Sequence, residues 1–169
     1  MLQRRSVLLL FAALLLTGCR STAPSFECTD PIGCVQLTPD QPLKIGVLQA
    51  LSGDQEPFGL SGQRSIELAL DDRGGRLLGH PVELQIEDSL CSKEGGATAA
   101  SKFAADPQIM GILGPSCSGA AETAIKIVSE AGLVMISGSS TAPSLTSVGG
   151  EAGAYLKSWT CQTLPVGVT

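Results

Sequence analysis

The chain has 169 residues, with 11 basic against 16 acidic side chains, a net charge of −5, and 43% hydrophobic but only 4% aromatic residues. That length holds at most one domain of ordinary size. The acidic balance, the lack of any basic run beyond Arg4-Arg5 and the scarcity of aromatics exclude a nucleic-acid surface, which needs cationic patches and stacking rings.

Arg4-Arg5 followed by the apolar run Val7–Leu16 (VLLLFAALLL) has the form of a signal peptide, and the run is too short to span a bilayer. The next residues, Leu16-Thr17-Gly18-Cys19, resemble the lipobox of bacterial lipoproteins, in which the cysteine is lipidated and becomes the first residue of the mature chain. Residues 1–18 are therefore expected to be removed, leaving Cys19 to anchor the protein to the bacterial cell membrane through several acyl chains. Residues 19–42 are polar and rich in Ser, Thr and Pro and read as a tether. Within it Cys28 and Cys34 flank the turn-forming Asp30-Pro31-Ile32-Gly33. Outside the cytoplasm, with no histidine or second cysteine pair nearby, this spacing favours a small disulfide loop over a metal site.

The folded part begins at Leu43, and residues 43–169 are expected to form one α/β unit. Leu43–Ala50 (LKIGVLQA) predicts a first strand and Leu51–Gly62 a Gly/Ser/Pro-rich loop. Ser61–Arg73 predicts a helix with Ile66, Ala69 and Leu70 on one face, stopped by Gly74-Gly75. A turn over Leu77–Pro81 leads to strand Val82–Asp88, then to helix Ser92–Ala105, ended by Asp106-Pro107. Ile109, Met110, Ile112 and Leu113 form a short core strand. Past Gly114-Pro115, the apolar face Ala121, Ala124, Ile125, Val128 predicts a helix, with Ser118 as its N-cap and Glu122 in its first turn. Leu133–Ile136 is a further strand, and Ala154–Trp159 a weaker extended run. Strands and helices alternate at crossover spacing, so the predicted fold class is α/β, an open doubly wound parallel sheet.

Two consecutive strands end in small and hydroxyl residues, Gly114–Ser118 and Ser137–Pro143, which a parallel sheet places on one edge. A strand running into a serine-capped helix offers N–H groups and hydroxyls to an anion, most simply a carboxylate. Enzyme chemistry is not supported by the same residues. The glycines after the first strand lack the G-x-G-x-x-G spacing of a nicotinamide site. Gly114-Pro115-Ser116-Cys117-Ser118 falls one glycine short of the hydrolase elbow G-x-S-x-G, and no histidine follows it. A nucleophilic Cys117 would lack the same base. His80, the sole histidine, is read as a surface turn residue, and no metal-ligating cluster is apparent.

Lys44-Ile45-Gly46-Val47, Ser52-Gly53, Gly59, Gly62, Gly79–Val82, Glu87-Asp88, Cys91, Gly114–Ser118 and Met135–Pro143 together resemble type I periplasmic binding proteins. More closely, they resemble the leucine/isoleucine/valine-binding proteins that feed ABC importers, over Leu43 to Leu145. The resemblance implies two α/β lobes closing over an amino acid, with no catalysis and no cofactor. It assigns ligand contacts to Phe58, Cys117, Ser118, Ser140 and Thr141. Ser118 matches the serine that binds the carboxylate, and Ser140 a small residue whose carbonyl meets the ammonium. Thr141 matches a threonine touching both groups, and Phe58 an aromatic at the pocket wall. Cys91 and Cys117 match a disulfide pair of the first lobe. Gly119 and Ala120 stand where close relatives carry more serines, a departure that leaves the ligand open beyond branched-chain amino acids. The family's chains are longer and carry a second lobe, so this sequence reads as a partial chain holding the first. The expected partners are an amino-acid-like ligand, the importer's membrane subunits and, through Cys19, a lipid bilayer, at an extracytoplasmic location. The alternatives are a ligand-sensing domain of a membrane receptor, which uses the same fold, and a serine hydrolase built on Ser116.

Overall fold

The computed structural model describes residues 27–30 and 34–145 and the backbone of 147–148 and 151–152. The signal peptide, Cys19, Cys161 and the run Ala154–Trp159 lie outside the described residues.

The chain enters the centre of a sheet and builds outward on both sides. Strand β1 (Leu43–Gln49) leads through a short 3-10 turn (Gly53–Gln55) into helix α1 (Glu56–Asp71). A two-residue strand β2 (Arg76–Leu77) turns back as an antiparallel edge onto β3 (His80–Asp88). Helix α2 (Lys93–Ala105), strand β4 (Ile109–Leu113), helix α3 (Ser118–Glu130) and strand β5 (Met135–Ile136) follow. The order across the sheet is β2-β3-β1-β4-β5, and the four longer-range neighbours β3, β1, β4 and β5 are parallel. A separate antiparallel pair, β6 (Ser147–Val148) with β7 (Glu151–Ala152), comes last among the described residues.

Alternation along β1 sorts the two faces of the sheet. Leu48 joins the core of Ala99, Ala100 and Phe103 from α2 with Ala124 and Val128 from α3. The Phe103 ring packs against Gly46, where a Cβ would stand 2.9 Å from its Cε1 atom. Strand β4 reaches the same core with both Ile109 and Ile112, although three residues apart. The pairing explains this: Lys44 faces Ile109 while Gly46 faces Ile112, so β4 carries one extra residue and a bulge turns both isoleucines to one side. Ile45, Leu84 and Leu113 line the opposite face together with Ile66 and Leu70 of α1.

The helix expected to begin at Ser61 begins at Glu56 instead, and the loop expected over Leu51–Gly62 is mostly helical. Pro57 occupies the first turn, where its missing N–H costs nothing. Gly59 and Gly62, which suggest a loop in the sequence, are packing residues. A Cβ on Gly59 would fall 1.8 Å from the Ala50 carbonyl oxygen, and one on Gly62 would fall 2.9 Å from the Gln49 side chain. The helix touches the end of β1 only because both positions lack side chains.

Ser92 caps α2 by accepting from Gly95 N at 2.9 Å. Ser118 does not cap α3: the N-cap is Cys117, Ser118 is already helical, and Glu122 falls beyond the first turn. The hydroxyl of Ser118 is committed elsewhere, as described below. The turn expected over Leu77–Pro81 is a hairpin, which adds the antiparallel edge and starts β3 two residues early.

Candidate functional site

A doubly wound sheet offers a crevice where the connections from two neighbouring strands leave toward opposite faces. Here those strands are β1, which leads to α1 on one face, and β4, which leads to α3 on the other. A cleft of about 350 Å³ opens at their carboxyl ends, lined by Gln49, Phe58, Ile66, Ser116, Ile136 and Ser139 among others.

The floor of the cleft is a knot of backbone and hydroxyl contacts. Gly114 has φ of +122°, a conformation reserved in practice for glycine, and a Cβ there would lie 1.9 Å from the Leu48 carbonyl oxygen. The peptide between Gly114 and Pro115 is cis. Ala50 N donates to Ser116 Oγ at 3.3 Å, and Ser116 Oγ donates to Gln49 Oε1. Both side chains are buried, Ser116 5% and Gln49 7% exposed. The serine cluster after β5 grips the same turn from above. Ser137 and Ser140 donate to the Pro115 carbonyl at 2.8 and 3.0 Å, and Ser139 donates to the Ser116 carbonyl at 3.1 Å.

Beside this knot, Ser118 Oγ accepts from Ala142 N at 3.1 Å. That bond lays the loop carrying Thr141 across the N-terminus of α3. The first backbone bond of the helix is Ala121 N to Cys117 O, so the N–H groups of Ser118, Gly119 and Ala120 have no acceptor within it. Thr141 is exposed, and its hydroxyl makes no hydrogen bond among the described residues. Ser144 Oγ donates to Glu122 Oε1 at 3.0 Å, and Glu122 pairs with Lys93 at 2.9 Å. The Lys93 ammonium first, and Ser144 second, hold the Glu122 carboxyl below its ordinary range. The loop is thus pinned to α3 at two points just after Thr141, through Ala142 and Ser144.

The loop after β3 reaches the same place. Asp88 Oδ1 accepts from Leu51 N and Leu90 N, each at 2.8 Å, tying together the exits of β1 and β3. Burial pushes the Asp88 carboxyl up, but the Ser52 hydroxyl and these two N–H groups outweigh it and hold it below the ordinary value. Leu90 and Cys91 both have positive φ, 52° and 48°. The sulfurs of Cys91 and Cys117 lie 2.00 Å apart, at bonding distance, as do those of Cys28 and Cys34 at 2.06 Å.

Of the residues singled out in the sequence, the fold brings Cys117, Ser118, Ser140 and Thr141 onto two adjoining loops. Phe58, 52% exposed, stands across the neighbouring cleft on α1. The Cys117 sulfur lies at bonding distance from that of Cys91 and not toward the cleft lined by Ser116. His80 is at the start of β3, at the opposite edge of the sheet, with Nδ1 3.0 Å from the Gln41 carbonyl. Among the described residues no group of three or more His, Cys, Asp or Glu is placed to hold a metal. Gln49 and Ser139 carry no role in the sequence reading. A glutamine closing the apolar run Ile45–Leu48 was the available signal.

An open α/β sheet with a hydroxyl-lined crevice at its switch point has the form in which sheets of this class bind small molecules. Residues 42–163 match the family described as periplasmic binding protein, and the chain belongs to that family. It is 30% identical over 109 residues to the Leu/Ile/Val-binding protein BraC3 of Rhizobium johnstonii, an alignment covering 63% of this chain and 29% of that protein. Its structure is similar to that of the branched-chain amino acid transporter substrate-binding protein LivJ of Streptococcus pneumoniae in complex with isoleucine. There the TM-score is 0.59 at 27% identity, covering 63% of this chain and 31% of the other. A solute-binding protein of R. palustris in complex with benzoate is similar at TM-score 0.58 and 26% identity, covering 63% and 29%. The matched part of this chain therefore spans less than a third of these relatives' lengths.

Proposed function

We propose that this chain supplies one face of an extracytoplasmic binding site for a small α-amino acid or related amide, and that it serves an ABC importer. The observation carrying the proposal is the Ser118–Ala142 hydrogen bond, which brings the residue after Thr141 to the first turn of α3, where three N–H groups have no acceptor within the helix. Uncompensated N–H groups, a helix N-terminus and a hydroxyl together suit a carboxylate. Ser118 keeps its hydroxyl proton to give to the same anion, and the Ser140 carbonyl is available to an ammonium. The other face of the ligand belongs to a second lobe. Membership of the family, and the ligands named for its relatives, support this reading.

The location follows the same logic. A signal peptide over 1–18, a lipid anchor at Cys19 and a tether over 19–42 would hold the lobe, residues 43–169, outside the cytoplasm. There the pairs Cys28–Cys34 and Cys91–Cys117 would form disulfides. The geometry around Ser116 speaks against the hydrolase reading. Its hydroxyl donates to a glutamine amide, which takes up no proton, and the sole histidine is at the far edge of the sheet.

Calorimetric titration of the full-length protein with free L-amino acids tests the proposal. Thr141→Val should weaken binding about tenfold or more, since a hydrogen bond to a charged group is worth about 1.5–3 kcal/mol. Unchanged affinity in that variant, or no binding of any amino acid, would sink it.

A further inference from the structure

Gln49 is more than nine-tenths buried, yet half of its amide has no partner among the described residues. Its side chain lies between two glycines from different elements. A Cβ on Gly62 would stand 2.9 Å from Oε1, and one on Gly114 would stand 3.2 Å from Nε2. Space has been cleared on both sides for this amide. Ser116 holds its orientation: that hydroxyl accepts from Ala50 N and donates its own proton to Gln49 Oε1. The NH2 group is then turned the other way. Nε2 has no acceptor among the described residues. No fully buried side-chain nitrogen or oxygen there lacks a partner, so Nε2 is reached from the cleft that Gln49 lines.

We propose that Gln49, held by Ser116, is a specificity residue that selects ligands whose side chain ends in a neutral hydrogen-bond acceptor, such as the amide of L-glutamine, over hydrocarbon side chains. This rests on the amino-acid reading above and extends it. Ser116 precedes Cys117-Ser118, and Ser139 precedes Ser140-Thr141, so the cleft adjoins the cradle for the α-carboxylate. Its walls, Phe58, Ile66, Leu113 and Ile136, suit an aliphatic stem, and its volume of about 350 Å³ is ample for a side chain and within the range of small-ligand clefts. A hydrocarbon tip would leave the Gln49 donor desolvated and unanswered, the circumstance in which polar sites reject apolar analogues most strongly. A carboxylate tip is disfavoured because, among the described residues, no Lys, Arg or His lines the cleft to pair with a buried charge.

The test is calorimetric titration of the full-length protein, freed of co-purified ligand, with L-glutamine, L-leucine, L-glutamate and benzoate. Glutamine should bind at least about tenfold more tightly than leucine or glutamate. Gln49→Leu should lose that margin, weakening glutamine about tenfold while leaving leucine equal or improved. Leucine binding as well as glutamine to the wild type, or a variant that weakens both equally, overturns this inference alone and leaves the amino-acid site standing. Binding of benzoate with no amino acid bound, or of none of the four, overturns the amino-acid reading and this inference with it. If circular dichroism shows Gln49→Leu unfolded, the wild-type ranking of the four ligands decides.

Discussion

Removing the proposed Cys91–Cys117 link is the sharpest perturbation of the scaffold behind the candidate binding loops. The two cysteines are 26 residues apart, and in the chain-entropy account closing a loop of that length stabilises the fold by about 3.5 kcal/mol. Part of this is offset. Leu90 and Cys91 both adopt left-handed backbone, φ 52° and 48°, each at a cost of about 1 kcal/mol for a residue with a Cβ. Asp88 would still hold Leu90 N after the link is cut, so only some of that strain relaxes. The net loss for Cys91→Ala/Cys117→Ala should be about 2–3 kcal/mol. For a urea slope of about 2 kcal/mol/M, the midpoint should fall by roughly 1–1.5 M. Urea unfolding followed by circular dichroism, on oxidised, reduced and double-variant protein, measures it. Thiol labelling of the unreduced protein should leave Cys91 and Cys117 unmodified. A midpoint unmoved by reduction in protein shown to carry the link would refute the reasoning, because the denatured chain would then gain nothing from release.

Three further outcomes are expected. Gly96→Ala should cost about 1–3 kcal/mol, because its Cβ would fall 2.4 Å from the Ala120 carbonyl oxygen where α2 crosses α3. Gly119→Ala, with nothing within 4 Å of the added atom, should stay within about 0.5 kcal/mol; equal costs by urea unfolding would contradict the packing account. Asp88, Asp106 and Glu122 all have carboxyls held below their ordinary values, so their contribution is full above the unfolded pKa and is lost as pH falls through the folded one. Stability should therefore drop below about pH 4, and Asp88→Asn, which trades charge-assisted bonds for neutral ones, should cost about 1–2 kcal/mol at pH 7 and progressively less as the pH falls below the unfolded carboxylate range. Glu122→Ala should free the turn carrying Ser144 and raise amide exchange over residues 141–145 about fivefold, with global stability nearly unchanged; protection equal to wild type would contradict the pinning described.

Much of this fold was legible because its signals are local. Leu43–Gln49, Val82–Asp88 and the helix ending at Asp106-Pro107 announce themselves by apolar runs and breakers, and the structure keeps them nearly where the pattern puts them. What failed shares one cause. Gly59 and Gly62 read as loop because glycine weakens a helix, yet here the benefit of close contact with β1 exceeds that local cost of about 1 kcal/mol each. Ser118 reads as a cap because serine before an apolar face usually is one. Its hydroxyl is instead taken by Ala142 N, from a loop 24 residues downstream that no local pattern reveals.

The candidate site was legible to the same extent and for the same reason. Two strands ending in small hydroxyl residues can be seen in one dimension, and that parallel strands put such ends on one edge is a rule of topology. The partner of each hydroxyl is not visible there. Ser116 drew notice only as a potential nucleophile in a near-elbow, a role set by neighbours in sequence. Its neighbours in space, Ala50 N and the Gln49 amide, make it a fixed strut instead. Gln49 itself looks like the ordinary polar end of a strand until Gly62 and Gly114 are seen on either side of it. Three positions far apart in the chain acquire meaning only jointly: two by what they omit, and the third by the donor it leaves facing the cleft.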